Sequence, residues 1–171
     1  LANLPVSVFR ERFEPRLPER MRDAEFLALS EVHAHPFTVL VADASYAVRA
    51  NTRYAVEENQ RVQLFSQLAR IPGEAGEQAF RLMGDLMYQS HYAYTECGLG
   101  SSATDRLVAL AREEGCANGI YGAKVTGGGA GGTVAILGHR DARDALNRIV
   151  AAYAAERGFA PYVIEGSSPG A

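Results

Sequence analysis

The chain has 171 residues, with 17 Lys+Arg against 20 Asp+Glu, a formal net charge of −3, and 47% apolar residues. That length suits one domain with a sizeable core, not two. The mixed, faintly acidic charge excludes a polybasic nucleic-acid or membrane-surface protein, which needs clustered Lys/Arg, and no apolar run approaches the ~20 residues of a membrane span.

In chain order, Glu19–Leu29 is predicted as a helix and Phe37–Val41 as a strand or extended segment. Residues 54–70 place Val56, Val62, Leu64, Phe65 and Leu68 on one side of a helix that Pro72-Gly73 stops. Residues 75–96 form a longer amphipathic helix, with Phe80, Leu82, Met83, Leu86, Met87 and Tyr94 at three- and four-residue steps. After the break at Cys97–Gly100, Ser102-Ala103-Thr104-Asp105 has the form of a capping box opening a helix that Gly115 ends. Ile120–Thr126 and Thr133–Leu137 are short and β-branched and read as strands flanking a glycine run. Asp141 is the expected cap of a helix over 142–157, and Ala160–Glu165 of a last strand. Helices followed by strand–loop–strand–helix–strand predict a single α+β domain over 1–171, a small antiparallel sheet covered by helices.

The glycine run is the most unusual stretch. Gly127, Gly128, Gly129, Gly131 and Gly132 fall within six positions, interrupted only by Ala130. Such a loop bares backbone amides and tolerates positive φ, and amide nests of this kind wrap anions, phosphate above all. A tight hairpin connection is the plainer alternative. The dinucleotide-binding template is matched by Gly127, Gly129 and Gly132 but needs a helix after the loop, where this chain has the strand-like TVAIL. A Walker A loop needs Lys-Ser/Thr after its last glycine, and Thr133-Val134 stands there. His139-Arg140-Asp141 imitates the catalytic HRD of protein kinases, yet it follows the glycines too closely for that fold and no DFG is present.

The whole stretch from Gly122 to Val134 resembles the third conserved motif of the GHMP kinases, the superfamily of galactokinase and of homoserine, mevalonate and phosphomevalonate kinases. Ser90-His91-Tyr92 and Asp105-Arg106-Leu107-Val108 look like the helix-and-turn region that precedes it in galactokinases. Cys97–Val108, Gly122–Val134 and Glu165–Ala171 are similar to the C-terminal part of the arabinose-kinase branch, and Tyr46–Ala50 and Glu58–Val62 extend the similarity upstream. The resemblance implies a ferredoxin-like C-terminal lobe that works with the N-terminal lobe of the same kinase. It implies transfer of the ATP γ-phosphoryl to a sugar hydroxyl, the 1-OH of L-arabinose or galactose, with Mg²⁺ as companion.

On that resemblance Gly127, Gly128, Gly129, Ala130, Gly131 and Gly132 are the ATP/phosphate-binding residues, with the amides of 128–131 near the phosphates or supporting the other lobe's loop. Lys124, Thr126, His91, Ser101 and Ser102 are the expected cleft-lining residues. The family's principal ATP loop and acidic base belong to the N-terminal lobe. Gly98–Ala103 looks like that loop but lies just ahead of the third motif, so it reads as a helix cap lining the cleft. No catalytic residue or metal ligand is therefore assigned, and the segment alone is expected to be inactive. A different substrate, such as a uronic acid or heptose, is a further reading, and a non-catalytic sugar- or nucleotide-binding or regulatory domain is another.

The remaining candidates have plain explanations. His33 and His35 lack a third metal ligand; His91 is equally explained as a hydrogen-bonded core histidine and Lys124 as a solvated strand residue; Asp105 is accounted for as a cap. Arg49 and Arg53 read as surface residues. Cys97 and Cys116 lack zinc-like or CxxC spacing and read as small buried residues in a reducing, cytoplasmic compartment. The scattered tyrosines build no stacking platform for nucleic acid. The opening residues show no signal-peptide pattern. Leu1 in the place of Met gives the expectation of a piece of a longer protein.

Overall fold

The computed structural model describes residues 1–29, 41, 43–71 and 75–166. The chain opens with a helical turn α1 (Val6–Val8), which widens through Phe9–Phe13 and tightens through Glu14–Arg16. Phe9 is fully buried there. A two-residue strand β1 (Met21–Arg22) leads into α2 (Asp23–Leu29) and pairs antiparallel with β2 (Ser45–Tyr46). The predicted helix over 19–29 thus forms only from Asp23. The expected strand at Phe37–Val41 lies, apart from Val41, outside the described residues, as do His33 and His35.

Three long helices follow: α3 (Val48–Leu68), α4 (Ala75–Glu96) and α5 (Ser102–Glu114). The hairpin β3 (Ile120–Thr126) and β4 (Thr133–Gly138) comes next, and α6 (Arg143–Arg157) closes the order. Residues 75–96 form the predicted helix; α3 begins two turns earlier than periodicity indicated, and its predicted stop at Pro72-Gly73 lies outside the described residues. Of its predicted apolar side only Val56 is buried, whereas Val62 is 57% and Leu64 42% exposed. Those positions are apolar and stay exposed among the described residues.

Two predicted caps are corrected. Ser101, not Ser102, caps α5: its Oγ accepts from the Thr104 amide at 3.2 Å, so Asp105 falls one position outside the capping box. Asp141 does not cap α6. Ala142 stands at that position with no side-chain bond to the helix, and Asp141 is exposed beside His139. The expected strand at Ala160–Glu165 is unpaired; its Glu165 holds Arg143 at 2.5 and 2.6 Å instead.

From Gly122 onward side chains alternate across β3, and an irregularity in register between Ile120 and Gly122 shifts Ile120 to the face of Ala123. Ile120 and Ala123 join the core cluster of Val108, Leu110 and Ala111 from α5 and Ala145, Ile149 and Tyr153 from α6. Gly122 and Lys124 turn instead toward α4 and α3. The contact with α4 is backbone to backbone: a Cβ on Gly84 would stand 1.9 Å from the Tyr121 carbonyl oxygen, and one on Gly122 would stand 2.4 Å from Gly84 Cα. Two facing glycines let helix and strand approach closer than any side chain permits. The arrangement is α+β, with the β3–β4 hairpin covered by α4, α5 and α6 and its glycine-rich turn projecting at one end.

Candidate functional site: the glycine-rich turn and its supports

The turn from Gly127 to Gly132 joins β3 to β4 in a backbone path most side chains resist. Gly127, Gly129, Gly131 and Gly132 have φ of 78°, 80°, 108° and 114°, and Ala130 itself sits at 56°. Its two sides differ. A Cβ at Gly129 would meet the Leu99 carbonyl oxygen at 2.7 Å and Tyr94 Cε1 at 2.8 Å, whereas Gly127, Gly128, Gly131 and Gly132 face open space. The closed side is held by two hydrogen bonds. The Ala130 amide donates to the Leu99 carbonyl at 2.6 Å, and the Tyr94 hydroxyl donates to the Gly127 carbonyl at 2.9 Å. Among the described residues, the amides of Gly127, Gly128, Gly129, Gly131 and Gly132 have no backbone acceptor. The turn is therefore fastened through the Ala130 amide and the Gly127 carbonyl, and its other amides have no backbone acceptor among the described residues. Ala130 departs from its expected part, because its amide is committed to Leu99.

Below the turn, α3, α4 and β3 build a polar cluster. Glu58 accepts from the Ser90 hydroxyl at 2.6 Å, from Arg61 Nε at 2.7 Å and from Lys124 Nζ at 3.1 Å. Arg61 also reaches Glu57 at 3.3 Å, and Arg10 reaches the same carboxylate at 2.6 Å. Burial pushes the Glu58 carboxyl up, but Ser90, Arg61 and Lys124 together outweigh it and hold it below its ordinary value. Burial, with the Glu58 charge nearby, raises the neighbouring Tyr54 hydroxyl to about 12. Lys124 is thus spent on an internal ion pair and does not reach out as a free cation.

His91 stands at the next level of α4. Its Nδ1 accepts the amide proton of Val125 at 3.3 Å, and its Nε2 lies 3.3 Å from Asp105 Oδ1. That carboxylate oxygen is buried and receives no well-aligned hydrogen bond. Asp105 is therefore a partner of His91, not a cap. Ser101 serves the α5 cap, Ser102 is exposed with its carbonyl accepting from Arg157 at 2.8 Å, and Thr126 is exposed opposite Thr133. Of the expected cleft residues, His91 and Lys124 tie the end of β3 to α4 and α3, and Ser101 serves its helix cap.

Glu58, Arg61, Ser90, Tyr94 and Leu99 did not emerge as site residues from the sequence. A charged pair three positions apart on the helix that carries buried Val56 was the available signal for Glu58 and Arg61. Nothing local marks a carbonyl such as Leu99 O. Arg49 donates to the Leu17 carbonyl and Arg53 pairs with Glu14, both at 2.5 Å, so they fasten the N-terminal segment. Cys97 and Cys116 are free and partly buried.

A separate open depression of about 490 Å³ lies at the far end of the hairpin, among Cys116, Gly119, Tyr121, His139 and Asp141. Arg148 on its wall is already paired with Glu114 at 2.7 Å, and nothing there marks a ligand. The turn, with its unpaired amides, is the better candidate. Among the described residues, no three His, Cys, Asp or Glu side chains are placed to hold a metal ion, and no helix is long and apolar enough to cross a membrane.

Backbone amides on a glycine-rich turn can form an anion-binding concavity. The family described as GHMP kinases C terminal matches residues 63–155, more than half of the chain. The chain belongs to that family. It is also 37% identical over 182 aligned positions to L-arabinokinase from Arabidopsis thaliana, an alignment that takes in 100% of this chain and 17% of the relative. The chain thus spans about a sixth of that relative's length. Ser90, His91, Tyr94 and the turn fall inside the family match; Glu58 and Arg61 fall outside it.

Proposed function

We propose that residues 1–171 form the C-terminal lobe of an ATP-dependent sugar kinase in which the turn at 127–132 meets the phosphates of ATP. The observation that carries this reading is the asymmetry of the turn: its Leu99–Tyr94 side is fastened and its other amides are unpaired. Preorganised N–H donors stabilise phosphoryl charge without reorganising as it develops. Gly127, Gly128, Gly129, Gly131 and Gly132 are the donors, while Ala130 anchors them. L-arabinose is the first substrate to test, phosphorylated at its 1-OH, with galactose second; the similarity to L-arabinokinase supports that order.

The donor set fits phosphate and does not fit Mg²⁺. Glu58 is occupied by Ser90, Arg61 and Lys124, so the companion metal's ligands belong to the rest of the enzyme. The same holds for the catalytic base. An N-terminal lobe of the same kinase is the proposed partner, and exposed Val62, Leu64, Phe80 and Leu82 on α3 and α4 support such a contact. The free cysteines suit a cytoplasmic setting. Nucleic acid and membrane have no part in this reading.

Two experiments test it. The chain alone, with Mg-ATP and L-arabinose, galactose or uronic acids, is expected to release no ADP above the spontaneous rate, and turnover by the isolated chain would overturn the division of labour. In a full-length kinase carrying this lobe, Gly129→Val is expected to weaken Mg-ADP binding at least tenfold. Unchanged binding there, in a folded variant, would remove the turn from the nucleotide site. Binding of a sugar or nucleotide by the isolated chain without turnover in the full protein would favour the non-catalytic alternative.

A further inference from the structure

On α4, Gly84 and His91 are seven residues apart, two helical turns, and so share a side. Gly84 meets the backbone of Tyr121 and Gly122; His91 meets Val125. Seven residues of helix rise about 10 Å, and the three residues from Gly122 to Val125 span about the same length of strand. The helix therefore runs along β3, with contact at both ends. At Gly84 it is steric, at His91 a hydrogen bond. Val125 is 2% exposed, and its amide goes to His91 Nδ1. Two residues further on, the chain enters Gly127.

We propose that His91 is a positioning residue for the glycine-rich turn, holding the end of β3 through the Val125 amide, and that it does so only as the neutral imidazole. The inference deepens the phosphate reading of the turn and rests on it. A backbone N–H is an obligatory donor, so Nδ1 must be the lone-pair nitrogen and the ring proton sits on Nε2, on the side of Asp105. Protonation puts a second hydrogen on Nδ1. Two donors then face each other in a buried space, the Val125 amide loses its bond to His91, and the ring is drawn to the Asp105 oxygen that no donor satisfies. The end of β3 is released just where it feeds the turn.

The groups facing the ring are Asp105 and Arg112 from α5 and Lys124 from β3. From α3, Glu58 is taken up by Ser90, Arg61 and Lys124. Burial lowers the ring's pKa from its ordinary value; Asp105 pushes it back up, and Arg112 and Lys124 push it down. A histidine depressed in the folded state is neutral above its unfolded value of ~6.5. The brace is therefore complete at neutral pH and lost as the pH falls below that value through the folded pKa.

The test is amide hydrogen exchange on the full chain, resolved to Val125 and to Gly127–Gly132, from pH 8 to pH 4.5 and corrected for intrinsic exchange. Mg-ADP binding by calorimetry is followed over the same range. Wild type is expected to lose protection at Val125 roughly tenfold, the factor that one net backbone hydrogen bond carries, and to weaken Mg-ADP in parallel. His91→Asn keeps an acceptor at the position of Nδ1 and does not titrate, so its protection and affinity should not follow that curve. His91→Leu should show the low protection at every pH. Val125 protection that is flat in wild type, or that titrates equally in His91→Asn, would overturn the proposal. Affinity indifferent to a loss of protection would overturn the positioning role. Protection that titrates as expected while Mg-ADP fails to bind at any pH would support the brace and remove the phosphate reading instead.

Discussion

Gly84→Ala is the substitution for which helix propensity and packing disagree most sharply. In an exposed helix interior, glycine to alanine stabilises by about 1 kcal/mol. At Gly84 the added Cβ would stand 1.9 Å from the Tyr121 carbonyl oxygen and 2.4 Å from its carbon, where real Cβ contacts stay beyond 3.0 Å. The obstacle is strand backbone, which has no rotamer to change, so α4 must move out by about an ångström. That shift loosens Met83 and Met87, both buried on the same helix. Overpacking of this kind costs about 1–3 kcal/mol and more when nothing flexible yields. With rigid backbone as the obstacle the upper end of about 3 kcal/mol applies; after the propensity gain of about 1 kcal/mol a net loss of about 2 kcal/mol is expected, or about 4–8 °C in Tm for a chain of this size. Gly76→Ala on the same helix is the matched control, because its Cβ would meet only ordinary contacts at 3.7 and 3.9 Å. It should be neutral or stabilising by up to about 1 kcal/mol. Urea denaturation followed by far-UV circular dichroism measures both. A Gly84→Ala midpoint equal to or above that of wild type would refute the close helix–strand approach.

Three further outcomes follow from the supports of the turn. Glu58→Gln removes the carboxylate shared by Arg61 and Lys124 and should destabilise by about 1–3 kcal/mol at pH 7. Because the Glu58 carboxyl is held low in the fold, its contribution is present above the unfolded value and fades as pH falls through the folded one; urea midpoints of wild type and variant should converge toward pH 3. Ser101→Ala should cost about 1 kcal/mol through loss of the α5 cap, while Ser102→Ala should stay within about 0.5 kcal/mol; a larger loss at Ser102 than at Ser101 in thermal melts would return the cap to Ser102. Tyr94→Phe removes the hydroxyl donated to the Gly127 carbonyl and should speed exchange of the Ala130 amide, the one bonded to Leu99, roughly tenfold with little change in Tm. Unchanged exchange would show that the Ala130–Leu99 bond holds the turn alone.

The local parts of this protein are written in its sequence. Three- and four-residue apolar steps set α4 at 75–96, β-branched runs set both strands of the hairpin, and five glycines in six positions announce a turn that most side chains resist. Those signals are legible because each depends on neighbours a few residues away. The family, too, was legible, since the motif around the turn is long and continuous. Val62 and Leu64 show the limit of periodicity. It places them on an apolar side but does not say whether anything covers it, and among the described residues both stay exposed. The capping position shows the same limit at one-residue scale. Ser101 and Ser102 are chemically interchangeable, and only the backbone geometry picks between them.

What the tertiary structure decided is which groups the turn spends and which it keeps. The bond from Ala130 to Leu99, the hydroxyl of Tyr94 on Gly127 and the imidazole of His91 on Val125 join residues some thirty positions apart. Lys124, readable as a free cation, is consumed by Glu58 from a helix 66 residues earlier. Such pairings arise only when two facing glycines let α4 settle onto β3. Hydrogen-bond partners are set by distances in the folded chain, and no spacing in the sequence encodes them.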